Sequence, residues 1–307
     1  MPQFCTEVSP QCPVEDTTYG YAPNLGGNIF FCVVFGICAL AQLCMGIKYK
    51  LRAFTFAVTL GCAGECIGYA GRLIMHYNAW SSTGFKIQIV CLILCPSFLA
   101  AGIYLTLKHL VLHYGPEYSK LRPNLYTWIF IGCDILSILT QAAGGGIASA
   151  ETADLVDIGD DVMVAGICIQ VATMFVCAVL ALDFALRVRR NKDRPDQTYH
   201  EPTTSGPVAF KFFVGAMMLA FLTIFIRSVY RIPEMVGGWG NPLMQDETEF
   251  LVLDGMMVAI AAICMTVAYP GIFFPEISTR YTKSKALSRE LEEEIALGHE
   301  AKHDSSS

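Results

Sequence analysis

Charge is scarce in this chain. Only 16% of its 307 residues are Asp, Glu, Lys or Arg, against roughly a quarter in an ordinary soluble domain, and the mean hydropathy is +0.47. A soluble fold is excluded on that ground. Basic charge is scarcer still. With 21 Lys and Arg against 27 Asp and Glu, the formal net charge is −6, which leaves no basic surface for a nucleic-acid backbone. With 54% hydrophobic residues, the chain is also too apolar to stay disordered. Residues 1–27 contain no Lys or Arg and no apolar run ending in a small-residue cleavage site, so no signal peptide is expected. The acceptor Asn-x-Ser/Thr is absent throughout. So is the Gly-x-x-x-x-Gly-Lys-Ser/Thr loop, which excludes ATP hydrolysis by that route. The six histidines, His76, His109, His113, His200, His299 and His303, fall at helix ends, in loops or in the tail. That leaves no ligand set for a membrane zinc hydrolase or for haem in the bilayer. Neither an enzyme nor a bound cofactor is expected.

What the chain has instead is long apolar runs. A spanning helix needs about 20 mostly apolar residues, and seven stretches qualify, at 28–47, 53–75, 86–107, 124–147, 162–186, 209–230 and 250–274. Each is apolar around most of its circumference, where a soluble helix would show a wide charged face. The fold class is therefore all-α, a polytopic membrane protein with seven transmembrane helices. Seventeen of the 21 Lys and Arg fall after helix 1, between helices 3 and 4, between 5 and 6, and after helix 7. The opposite loops carry acids such as Glu151, Asp154, Asp157, Asp160 and Asp161. The positive-inside rule then puts the N-terminus outside and the C-terminus in the cytosol. Three regions result: an extracellular segment 1–27, a helical domain 28–274 and a cytosolic tail 275–307. The tail turns from basic to acidic at Arg289-Glu290-Leu291-Glu292-Glu293-Glu294 and reads as a short exposed helix with a disordered Ser end, first a solvated tail and otherwise a place for regulatory partners. The basic loop 187–208 reads as an orienting, lipid-attracting segment, and 231–249 as a Gly- and Pro-rich outer loop.

Eleven of the 13 cysteines lie in or beside the spans, where a thiol packs as a small apolar group. Cys5 and Cys12 lie in the outside segment, where a short-loop disulfide is permitted, the alternative being two free thiols.

Ionisable groups inside a bilayer are costly and mark function by default. Helix 2 carries Glu65 and Arg72 two turns apart, beside Gly61, Gly64, Gly68 and Gly71, which admit a close neighbour. Helix 4 aligns Asp134, Ser137 and Gln141 on one face, helix 5 adds Gln170, the end of helix 6 has Arg227 and Arg231, and helix 7 has Asp254. Charge balance pairs Glu65, Asp134 and Asp254 with Arg72, Arg227 and Arg231. Two readings stay open: a polar cavity opening toward the outer half, or cross-helix pairs that fix the bundle. Pro96 in helix 3 frees a carbonyl one turn earlier and predicts a kink.

The same residues carry a family resemblance. Tyr19-Gly20-Tyr21-Ala22-Pro23-Asn24, Glu65-x-x-Gly68-Tyr69-x-x-Arg72, Pro96 with Ala100-Ala101-x-x-Tyr104, and Asp134-x-x-Ser137-x-x-x-Gln141-x-x-Gly144-Gly145-Gly146 come first. Gly166-x-x-x-Gln170, Arg227-Ser228-x-Tyr230-Arg231-x-x-Glu234, then Glu247 and Asp254, complete the set. In order over residues 19 to 275, they resemble the fungal RTA-like proteins, the lipid-translocating exporter family. Tyr269 before Pro270-Gly271, Leu251, and the region of Gln42 depart from the family pattern, which bears on substrate rather than fold. The resemblance implies a seven-helix plasma-membrane protein that exports sphingoid long-chain bases or confers resistance to 7-aminocholesterol and other amphiphiles, with porphyrin or haem handling in some members. It adds Glu234 to a substrate-binding set of Glu65, Arg72, Asp134, Gln141, Gln170, Arg227, Arg231 and Asp254. The partners expected are membrane lipids or amphiphilic small molecules. An amine-bearing lipid needs a carboxylate for its ammonium. The alternative is a seven-helix lipid sensor or receptor; against it, Leu107-Lys108-His109 stands where an Asp/Glu-Arg-Tyr triplet would end helix 3.

Overall fold

The apolar stretches form seven long helices in the computed structural model, which describes residues 5–114, 119–120, 123–148, 153–191, 207–238 and 240–273. They are α1 (Leu25–Tyr49), α2 (Arg52–Tyr77), α3 (Ser82–Tyr114), α4 (Pro123–Ala148), α5 (Ala153–Asn191), α6 (Pro207–Val236) and α7 (Glu247–Phe273). All seven are long and apolar enough to cross a membrane, and the described residues contain no strand.

Several helices outrun their apolar cores. The 39 residues of α5 take Asp157, Asp160 and Asp161 into helix rather than loop. Likewise α6 continues past Arg231 through Pro233 to Val236, so Arg231 and Glu234 are helical rather than part of an outer loop. Only 237–246 remains between α6 and α7, and it contains a further short helix, Pro242–Gln245. The basic loop is helical to residue 191. Its residues 192–206, and the tail 275–307, lie outside the described residues.

Consecutive helices are neighbours, α7 packs back on α1, and α3 touches α6 across the bundle. The tightest hairpins are set by glycine. A Cβ on Gly64 would overlap Cys95 Sγ, and one on Gly68 would sit 2.5 Å from Leu92 Cδ2, so α2 lies directly on α3. On the α4/α5 side, a Cβ on Gly144 would meet the Gly159 carbonyl at 2.6 Å. Between α1 and α2 the chain reverses at Lys50, in the left-handed region at φ 58°, whose N–H caps the Gly46 carbonyl. Inside, Phe31, Phe35, Tyr69, Leu92, Leu99 and Met265 belong to one buried core. Outside, large apolar side chains such as Ile37, Leu40, Phe56, Leu139, Leu182 and Met218 are mostly exposed, as a lipid-facing surface requires.

Residues 5–24 cover one end of the bundle. Cys5 and Cys12 are bonded through their sulfurs, and Trp80 Nε1 donates to the Cys12 carbonyl at 3.1 Å. Asn78 Nδ2 donates to the Thr6 carbonyl at 2.9 Å, His76 Nδ1 bonds the Pro23 carbonyl at 2.7 Å, and Asn24 caps α1 by accepting from Gly27 N–H at 2.9 Å.

Because the α2/α3 approach leaves no room at Gly64, Gly64→Ala is expected to cost about 1–3 kcal/mol by overpacking. The paired change Cys95→Ala, which removes the opposing sulfur, should restore most of the loss. Thermal unfolding in detergent checks this, and an unaltered midpoint for Gly64→Ala would contradict the packing.

Candidate functional site

Inside a bundle with so few charges, all nine sequence-derived site residues are buried, with relative exposures of 0 to 3%. Their pairing differs from simple charge balance. Arg227 Nε binds Asp254 Oδ1 at 2.7 Å, Arg231 Nη1 binds Glu234 Oε2 at 2.7 Å and Arg231 Nε lies 3.4 Å from Asp254 Oδ1, and Arg72 Nη2 lies 3.4 Å from Glu247 Oε1. Each arginine thus has a carboxylate, drawn from Asp254, Glu234 and Glu247. Glu65 and Asp134, expected to serve as partners, pair with none of the arginines, and Glu65 has no hydrogen-bond donor on either carboxylate oxygen.

Local backbone features place these groups. Pro96 lacks the N–H that would bond Leu92 one turn back. Yet α3 runs through it as one helix, and the freed Leu92 carbonyl accepts from Arg227 Nη2. The proline therefore creates an acceptor that a buried guanidinium uses. In α7, residues Phe250–Met256 form a π-helical stretch, a local widening frequent at functional sites. It contains Asp254 and brings Gly255 so close to α2 that a Cβ there would lie 2.7 Å from the Tyr69 hydroxyl.

Arg72 is enclosed by the N-terminal segment. Its Nε donates to Asn28 Oδ1 at 2.9 Å, its Nη2 to the Tyr21 hydroxyl at 3.1 Å, and its guanidinium carbon lies 4.1 Å from the Phe250 ring centroid and 5.5 Å from that of Tyr19. Such contacts offset part of the cost of burying the charge. Tyr19 in turn accepts from Gln88 Nε2 at 2.7 Å. Burial pushes both tyrosine hydroxyls above the ordinary phenol value, with Arg72 opposing the rise, so both keep their protons at physiological pH.

Two further groups stand apart from this ion network. On α4 and α5, Gln141 Nε2 donates to Ser137 Oγ at 2.8 Å and to Gln170 Oε1 at 3.2 Å, while Ser137 Oγ donates to the Gly166 carbonyl at 2.6 Å. Asp134, one face with them, instead neighbours the Tyr104 hydroxyl of α3. Glu65 lies in the field of Asp254, Arg227 and Arg231 without bonding any of them. Sequence reasoning left Asn28, Gln88, Tyr69 and Tyr104 out of the site. Asn28 and Gln88 are amides at the edges of apolar runs and carried a readable signal, whereas buried tyrosines look like core. A cleft of about 20 Å³ at the covered end, bounded in part by Thr17, Tyr19, Trp80 and Phe85, has room for about one water.

Seven apolar helices enclosing a buried network of arginine–carboxylate pairs define a polytopic membrane protein whose polar groups face its interior. More specifically, the chain belongs to the RTA1-like family: the family described as RTA1 like protein matches residues 58–277. Among curated proteins it is 33% identical over 289 residues to the sphingoid long-chain base transporter RSB1 of Saccharomyces cerevisiae, covering 85% of this chain and 75% of that protein. It is 24% identical to Protein RTA1 of the same organism, over 83% of this chain and 85% of the relative. It is also 27% identical to the yeast Protoporphyrin uptake protein 1, over 74% and 71% respectively. No solved structure matches.

Removing one side of a buried ion pair strands the other charge, at a cost of about 3–5 kcal/mol. Asp254→Ala, which strips Arg227 of its carboxylate, is therefore expected to lower the unfolding midpoint in detergent sharply. Glu65→Gln breaks no hydrogen bond and should leave the midpoint nearly unchanged. Equal losses in the two variants would contradict the pairing described above.

Proposed function

We propose that this protein translocates amphiphilic lipids, sphingoid long-chain bases or closely related amphiphiles, across the plasma membrane, and that it catalyses no covalent chemistry. The observation that carries the reading is the pair of buried carboxylates that no arginine holds. Glu65 and Asp134 are 1% and 2% exposed, Glu65 with no donor on either oxygen and Asp134 with only the Tyr104 hydroxyl beside it, an arrangement that is costly unless a cation is expected there. A sphingoid base brings an ammonium to such a site while its hydrocarbon tail remains in lipid. Support at the level of class comes from the family and from a relative named as a sphingoid long-chain base transporter.

The side chains around Glu65 are closed in this conformation, so passage requires a second one in which a polar cavity opens toward the outer half. The end covered by residues 5–24 is the natural place for that opening. There Arg72, Arg231 and Glu234 meet the N-terminal segment through Tyr19 and Tyr21. With the N-terminus outside, the orientation that the distribution of Lys and Arg favours, this end faces the exterior. Gln141 and Gln170 extend the polar surface from Asp134 toward the same end.

The test is inter-leaflet movement of a fluorescent sphingoid base in liposomes containing the pure protein. Wild-type protein is expected to speed it, and Asp134→Asn or Glu65→Gln to lose the effect while remaining folded. No acceleration by folded wild-type protein would turn the reading toward a seven-helix lipid sensor. For orientation, an epitope placed ahead of Cys5 should be reached by antibody on intact cells; staining only after permeabilisation would reverse the topology.

A further inference from the structure

The three buried arginines and their three carboxylates make a closed set. Arg72, Arg227 and Arg231 carry three positive charges, and Glu247, Asp254 and Glu234 carry three negative ones. The count is neutral without Glu65. Arg227 is turned away from Glu65 in this packing, its Nε to Asp254 and its Nη2 to the Leu92 carbonyl that Pro96 frees. Around Glu65 the ionisable groups are Cys62 and Tyr69 on its own helix, Cys91 and Cys95 on α3, Arg227 and Arg231 on α6, and Asp254 on α7. None of them donates a hydrogen bond to its carboxyl. An ionised carboxylate there would be a seventh charge that this set does not balance, at 1% exposure, which is costly unless a proton or another cation accompanies it.

Building on the translocator reading, we infer that Glu65 is a proton-for-ammonium exchange site: it holds a proton in the closed conformation and releases it when the ammonium of an amphiphile arrives. The balance is simple. The O–H bond of the Glu65 carboxyl breaks, the proton leaves to water on the side opposite to that which the amphiphile will reach, and the carboxylate left behind pairs with the incoming cation. When the amphiphile departs, a proton taken from the water it enters restores the neutral carboxyl. One positive charge replaces another at every stage, so the core never carries an unpaired charge and the exchange is electroneutral. A pH difference then drives net transport without a nucleotide motor, and one pH unit sustains up to about a tenfold ratio of amphiphile between leaflets.

The experiment uses the full chain in liposomes enclosing a pH-sensitive dye, with NBD-labelled N,N,N-trimethylsphingosine as probe. The permanent charge of the probe removes passive crossing as a neutral amine. With an acidic lumen, the probe is expected to accumulate in the inner leaflet as the lumen loses protons. A potential imposed without a pH difference should leave the leaflet ratio unchanged, and folded Glu65→Gln should show no coupled proton flux. Probe movement to an even distribution, with lumen pH unaffected, would overturn the exchange and leave the translocator standing. If folded protein moves neither this probe nor NBD-sphingosine, both inferences fail. Because the proton flux is read on the wild-type chain, the result does not depend on any variant folding.

Discussion

A guanidinium carries five N–H donors and never gives up its charge, so an arginine buried in a membrane bundle dictates what surrounds it. Arg227 shows the constraint at its most demanding. It sits on α6, takes Asp254 from α7 and the Leu92 carbonyl from α3, and so ties three helices at one point. The carbonyl is available because Pro96 withholds the N–H that would have used it. The π-helical stretch of α7 holds Asp254, and Arg231 shares the same carboxylate oxygen. Loss of any one of these elements would leave a buried polar group without a partner.

The same requirement organises the end covered by the N-terminal segment. Arg72 is held by groups remote in sequence: Asn28, Tyr21 and Glu247. Residues 5–24 are thereby drawn onto the bundle instead of trailing from it, with Tyr19 linking Arg72 to Gln88 of α3. With each of these arginines facing its own carboxylate, Glu65 and Asp134 remain as buried acids outside the ion pairs. In the translocator proposed above, they are the groups offered to a cationic lipid.

Much of this architecture is legible in the order of the amino acids. Seven apolar runs require seven helices, and the glycines of helix 2 announce a close neighbour, which is α3. The nine polar residues singled out are all buried. The helix ends are less legible because hydropathy stops at the first charge, whereas α5 and α6 continue through Asp161 and Arg231. At Arg231 a salt bridge to Glu234 carries the helix further than apolarity alone indicates.

Pairing is the part hidden from the sequence. Counting charges joins Glu65 and Asp134 to arginines, since a one-dimensional count treats all acids in the membrane as equivalent. In three dimensions Glu234 lies one turn from Arg231, and Glu247 reaches Arg72 from the other end of the chain. These closer carboxylates displace the central ones, because Coulomb attraction in a low-dielectric interior and hydrogen-bond geometry both fall away within a few ångströms. Composition and periodicity by themselves determined that this chain crosses a membrane seven times with its charges turned inward. Only the tertiary packing decided which of those charges neutralise one another and which stand outside the ion pairs, since that depends on angstrom-scale distances between helices that are far apart in sequence.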